Sequence, residues 1–289
     1  MIHLPGVPEI FTKRDLFLER VKEKIWAAPC NFSETYSGLK LPTDQESHRL
    51  AAGVLMPLLF CTPPNSNPTP ERSFAIMLIK RSSRVAQPGD LSFPGGMLNN
   101  IWDRILRLPF THGPLSLVKG EARYLLAQQN KTTAKLITLF MITAFRESWE
   151  EIRLSPFQTR FLGPLPTRKL TLFNRTIFPV VGFVEHHGHL HPNQEAEKIV
   201  IIPLSSFYRQ DSLGCLQIAT PGQRRQTIQY PCLIHQDTDG QEEILWGVTF
   251  HITLEFLRVV MDYHLPEWKS KRVISKSLTS DYLSRRSES

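Results

Sequence analysis

The chain has 289 residues, of which 41% are hydrophobic and 21% charged, a composition suited to one medium globular domain with additions or to two small ones. No stretch approaches the roughly 18 consecutive apolar residues that cross a bilayer, MIHLPGVPEIFTKRD lacks a basic leader before an apolar core, and Cys30, Cys61, Cys215 and Cys232 form no CxxC pair. These features speak against a membrane span, a secretory signal and a disulfide framework and fit a cytoplasmic chain, while the net charge of +7 favours anionic ligands without choosing among them.

Phe11 to Ala27 reads as an amphipathic helix, with Phe17, Val21 and Ile25 at four-residue spacing. Two apolar runs, Gly53–Phe60 and Ser73–Lys80, read as strands separated by the turn-rich CTPPNSNPTPER. A Gly/Pro-rich loop, QPGDLSFPGGML, comes next. Asn99–Thr133 mixes loop signals such as THGPLS with a helix over Gly120–Gln129, whose neighbours Lys119, Arg123, Lys131 and Lys135 read as a solvated basic face. Lys135–Ile152 reads as a helix that must end before Pro156. Strands follow at Phe161–Leu165, Thr176–Val184, Lys198–Ile202 and Thr227–Ile234. A second long helix covers Gly247–Tyr263, with Phe250, Leu254, Leu257 and Met261 on one face. His186, His187, His189 and His191 surround Gly188 in a polar run between two strands and read as a hairpin tip rather than a transition-metal site.

This order predicts an α+β fold, a mixed β-sheet packed between helices. The domain covers 51–264, preceded by a helical extension over 1–50 and followed by a basic, solvated tail over 265–289.

The chemistry concentrates in TAFRESWEEI, Thr143–Ile152. At about 100° per residue, Glu147, Glu150 and Glu151 share an arc of about 100° on one helical face. Like charges at i,i+4 cost a helix roughly 0.2–0.5 kcal/mol unless something compensates, and a hard divalent cation with oxygen ligands would do so. Arg146, four residues before Glu150, is placed to orient it. Upstream, the paired glycines of LSFPGGML let the backbone turn sharply and approach a ligand.

Together these two segments resemble the box of Nudix hydrolases, in which a glycine loop leads into a helix of the form R-E-U-x-E-E-x-G-U. Gly96 matches the loop glycine, and Arg146, Glu147, Glu150 and Glu151 match the R-E and E-E positions. The resemblance implies an α/β/α sandwich in which Gly96, Glu147, Glu150 and Glu151 hold Mg2+ or Mn2+. It also implies that such metals polarise a diphosphate and activate water.

The chain departs from the pattern in three places. Loop glycine and helix arginine stand 50 positions apart (146 − 96), so Asn99–Thr133 reads as an insertion inside the box. Trp102 occupies the position of an expected glutamate, leaving Asp103 or Glu121 to substitute. Arg153 replaces the helix-ending glycine, at a cost of about 1 kcal/mol if the left-handed cap is kept.

Further pieces resemble the coenzyme A diphosphatases of that family: Arg81-Ser82, Gly89–Gly96, Pro179–Gly182, HPNQEAEKIVIIPL and Ile244–Leu257, with Asp90 where glutamine is usual. The resemblance implies cleavage of coenzyme A or its acyl esters to 3′,5′-ADP and (acyl-)4′-phosphopantetheine. Glu151 and Glu195 are then the candidates for general base, with Arg146 supporting the catalytic cluster. Arg81, Arg84 and Phe93 are carried over as substrate-binding residues. The expected partner is a small nucleotide, not a membrane or a nucleic acid. Two alternatives are another nucleoside diphosphate derivative, such as ADP-ribose or a dinucleotide, and a non-catalytic nucleotide-binding protein.

Overall fold

The computed structural model describes residues 6–39, 50–62, 72–99, 101–111, 116–170, 175–186, 188–219, 227–278 and 282. The expected elements are present, with shifted ends. After a 3-10 turn at Glu9–Thr12, the first helix α1 is Arg14–Ala27, and a short α2, Phe32–Gly38, follows. Strands β1 (Ala51–Cys61), β2 (Ser73–Arg81), β3 (Leu91–Ser92) and β4 (Gly95–Met97) lead into the insertion. The insertion carries α3 (Trp102–Thr111) and α4 (Gly120–Ala127), and the long helix α5 is Lys131–Ile152. Beyond it come β5 (Thr159–Pro164), β6 (Arg168–Leu170), β7 (Arg175–Val184) and β8 (Ala196–Pro203). The chain then forms β9 (Leu213–Ala219), β10 (Thr227–Gln236), β11 (Glu242–Leu245), α6 (Gly247–Met261) and β12 (Arg272–Ser277).

The main sheet runs β3-β2-β1-β7-β5, with β4 also on β1, β6 on β7 and β8 on β2. It is mixed, since β1 pairs parallel with β7 and antiparallel with β2. Side chains alternate across its faces, as the two-residue period of a strand requires. In β1, Val54, Met56 and Leu58 enter one core with α1 and α6, while Ala51, Leu55 and Leu59 enter another with α2 and α5. Phe74, Ile76 and Leu78 of β2 join the first core; Met77 and Ile79 join the second. Burial on both faces explains why β1 and β2 read as continuous apolar runs. The expected α+β sandwich is therefore observed.

Two features lie outside the sequence reading. The described residues form a second sheet, β11-β10-β9-β12, joined to the first through Leu213, Leu233 and Leu245 in the first core and through charges. Lys198 of β8 reaches Asp237 at 2.8 Å, Asp239 at 2.6 Å and Glu243 at 2.9 Å, and Lys80 of β2 reaches Glu243 at 3.0 Å. Its last strand, β12, comes from the run read as a solvated tail and pairs parallel with β9. The histidine run is also not a hairpin tip: β7 pairs with β1, and β8 lies beyond β2. The connection crosses the end of α5, where the His191 and Asn193 amides donate to the carbonyls of Ile152 (3.0 Å) and Glu151 (2.7 Å). These bonds satisfy carbonyls that a helix end leaves open. His187 lies outside the described residues.

Candidate active site

Helix α5 starts on Asn130, whose side chain accepts the Thr133 amide. Its middle lies directly on the sheet. A Cβ at Gly53 would stand 2.7 Å from the Phe140 carbonyl, so only glycine permits this approach. Phe140 stacks on Phe178 of β7 with centroids 3.8 Å apart. The helix ends on Arg153 in the left-handed conformation (φ 59°), keeping the cap geometry that glycine would occupy without strain.

This seating brings the last two turns of α5 against the glycine loop. Gly96 pairs with Gly53 across β4 and β1. A Cβ on Gly96 would lie 2.4 Å from the Glu147 Cδ and 2.5–2.6 Å from its oxygens. The Gly95 amide donates to Glu151 Oε2 at 2.9 Å. The loop and the carboxylate helix thus meet, with the insertion looped out between them.

Arg146 is the hub of the cluster. Its Nε donates to Asp103 Oδ1 at 2.7 Å, one terminal nitrogen to both Glu150 oxygens at 3.0 and 3.1 Å, and the other to Glu147 Oε1 at 2.8 Å. Asp103 of α3 is fully buried and also accepts from the Asn99 amide (2.8 Å) and the Thr143 hydroxyl (2.8 Å). The insertion is therefore fastened to the carboxylate helix by a charge-assisted network. Of the two residues considered as replacements for the missing glutamate, Asp103 is committed to Arg146. Glu121 pairs with Lys22 of α1 at 2.6 Å.

Glu151 is 5% exposed, and its carboxyl is pushed up to about 8. Burial is the main cause, helped by the charges of Glu147 and Glu195 and opposed by the Gly95 amide and Arg81. Burial likewise pushes Glu147 up to about 7, with Arg146 opposing and Glu150 and Asp103 adding to the rise. Arg146 is held above its ordinary range: burial acts against its charge, but Asp103 and Glu147 outweigh it.

Arg81 and Glu195 are close enough to act on Glu151 electrostatically. The Ser82 amide donates to the Glu195 carbonyl at 2.8 Å, and Arg84 donates to Gln194 Oε1 at 2.5 Å. Arg81, Arg84 and Glu195 thus stand on two joined segments beside the cluster. Phe93 differs, because its ring is buried in the first core and backs the loop from inside.

The loop after Arg81 is fastened by residues that no sequence signal revealed. Asp90 is buried and accepts from Trp246 Nε1 at 3.1 Å, from Lys276 and from the Tyr282 hydroxyl, while its carbonyl accepts the Arg81 amide at 2.9 Å. The Gln87 amide donates to the Tyr282 carbonyl at 2.9 Å.

Among the described residues, no group of three or more His, Cys, Asp and Glu stands in a metal-holding arrangement. The donor types still suit a hard cation, which prefers oxygen. The charge of Glu147 helps raise the affinity of the buried Glu151 for a proton, and a divalent cation would relieve the same repulsion. Glu150, by contrast, has both oxygens on Arg146.

No family model matches the sequence, and no curated protein matches it. Among solved structures, an Ap4A hydrolase from C. elegans is 10% identical, covering 54% of this chain and 80% of that one with a TM-score of 0.31. The Nudix hydrolase RenU from M. smegmatis is 14% identical, covering 54% and 71% with a TM-score of 0.30. A Nudix hydrolase from Alicyclobacillus acidocaldarius is 14% identical, covering 53% and 78% with a TM-score of 0.30. Likeness at this level assigns neither family nor activity to the chain. Among the described residues no helix is long and apolar enough to cross a membrane.

Proposed function

We propose that the chain is a Nudix-type hydrolase that cleaves the diphosphate of coenzyme A or its acyl esters. The observation that carries this reading is the seating of the Glu147 carboxylate against Gly96 while Glu151 accepts the Gly95 amide. Two segments 50 positions apart have no structural need to meet through two carboxylates, whereas a metal-assisted hydrolase needs that meeting.

In this reading Glu147 and Glu151, with the Gly96 carbonyl and Glu150, hold Mg2+ or Mn2+. Mg2+ or Mn2+ held there would supply charge neutralisation of the diphosphate and a lowered pKa for the water whose deprotonated form attacks. Arg146 orients Glu147 and Glu150. Arg81 and Arg84 clamp phosphate oxygens through the bidentate fork of guanidinium. Glu151 or Glu195 accepts the proton of the attacking water, and burial of Glu151 keeps its basicity high.

The binding of Glu150 by Arg146 favours a second reading, a non-catalytic nucleotide-binding protein in which the acids only brace the loop. Incubation of coenzyme A, dephospho-coenzyme A, ADP-ribose and a dinucleotide with Mg2+ or Mn2+, read by mass spectrometry, decides between them. Coenzyme A should be cleaved with at least about tenfold higher kcat/KM than dephospho-coenzyme A, since a charge-assisted bond to the 3′-phosphate contributes about 1.5–3 kcal/mol. Faster cleavage of ADP-ribose would move the substrate to another nucleoside diphosphate derivative. Absence of turnover with any of them would leave the binding protein.

A further inference from the structure

Arg81 ends β2 inside a ring made by the loop that follows it. Its amide donates to the Asp90 carbonyl at 2.9 Å, its carbonyl accepts the Gly89 amide at 2.8 Å, and its Nε donates to the Ala86 carbonyl at 2.7 Å. Among the described residues neither terminal nitrogen of this half-buried guanidinium has a hydrogen-bond partner. The two nitrogens leave a fork of the kind that takes a phosphate group. We infer that Asp90, Lys276 and Tyr282 form a latch that sets the direction of the Arg81 fork, and that the fork takes the diphosphate of the substrate.

The loop is held where a plain turn would need no holding. Gln87 stands in the left-handed region (φ 59°), uncommon for any residue but glycine, and its amide donates to the Tyr282 carbonyl at 2.9 Å. Such a conformation persists where the surroundings fix it. Asp90 is buried, which costs a carboxylate its hydration. It is compensated by Trp246 Nε1 at 3.1 Å, by Lys276 and by the Tyr282 hydroxyl, donors 156, 186 and 192 positions away. A buried ion pair is a weak source of stability, whereas three donors converging on one carboxylate fix its place.

Position joins the latch to the carboxylate cluster. The Arg81 guanidinium is near enough to Tyr282 and to Glu151 to act on both electrostatically. Lys276 lies on β12, which pairs with β9, so the latch gives the second sheet a part in the site. That the fork meets a diphosphate rests on the proposed activity; that the latch holds the fork does not.

A double-mutant cycle tests this without turnover. The probe is α,β-methylene-ADP, whose bridging carbon resists hydrolysis, titrated calorimetrically in Mg2+. The parent should bind it, and Arg81→Ala should weaken binding at least about tenfold. Tyr282→Phe and Lys276→Met each remove one donor from Asp90, and melting curves confirm which variants fold. Each should weaken binding at least about threefold in the parent and leave it unchanged in Arg81→Ala, because a latch acts only through the fork. Equal weakening in both backgrounds, or none in either, overturns the latch and leaves the arginine clamp standing. Unchanged affinity in Arg81→Ala, or no binding by the parent, overturns fork and latch together. Turnover of coenzyme A decides the diphosphatase reading separately.

Discussion

Substituting Gly96 by Ala perturbs the junction of loop and helix by one methyl group. The added Cβ would sit 2.4 Å from the Glu147 Cδ and 2.5–2.6 Å from its oxygens. Normal contact is roughly 3.5–4.0 Å, so the carboxylate must retreat by about 1 Å. Gly96 has no positive φ, so the substitution tests space and not backbone strain. The carboxylate cannot swing freely, because Arg146 holds Glu147 Oε1 at 2.8 Å and is itself held by Asp103. A displacement of about 1 Å at a reacting centre costs on the order of 100-fold in rate, or about 2.7 kcal/mol of barrier. Overpacking should remove about 1–3 kcal/mol of stability. Steady-state hydrolysis of coenzyme A across a Mg2+ titration, beside urea unfolding, measures both. Parental kcat and parental Mg2+ dependence in a correctly folded Gly96→Ala would refute the contact as part of a working site.

Glu151→Gln should lower turnover by at least about two orders of magnitude in saturating Mg2+. It should also change stability against pH in chelator. The folded-state value of Glu151 lies above its ordinary one, so the native state binds the extra proton. Its stabilising contribution is then full below about pH 4.5 and lost as pH rises through about 8. Melting temperature of the metal-free parent should therefore fall between pH 5 and 8 more steeply than that of Glu151→Gln, and parallel curves would contradict the buried-acid assignment. Arg153→Gly relieves a left-handed cap (φ 59°) and gives up the stacking of Arg153 over Trp149 at 5.6 Å. A net gain of about 0.5 kcal/mol is expected in urea unfolding, and a loss would mean the stacking outweighs the strain.

Much of the sandwich was legible because its signals are local. β1 and β2 are buried on both faces and so apolar throughout, and α5 and α6 carry long helical patterns between clear stops. The second sheet was not. β11 and β12 are short and alternate weakly, with most of β12 exposed, and β12 reaches β9 only across the whole of α6. The carboxylates were legible through their spacing on one helix. The sequence offers Asp103 only as a substitute for the absent glutamate, not as a hub, because its partners Thr143 and Arg146 lie 40 and 43 positions away. Asp90 was hidden similarly, being held by Lys276 and Tyr282 at 186 and 192 positions. Phe93 reads as a ligand contact from its motif, but its place in the alternation of the loop turns the ring into the core.

In the proposed function the glycine loop and the carboxylate helix act as one divalent-metal site. Binding of Mn2+, followed by its electron paramagnetic resonance signal, tests this without any assumption about substrate. The parent should take up Mn2+ at a site that Mg2+ displaces, with affinity reduced at least about tenfold in Glu147→Gln and in Glu151→Gln, and far less in Glu121→Gln, whose carboxylate pairs with Lys22. Equal Mn2+ binding by the parent and both box variants would contradict the account.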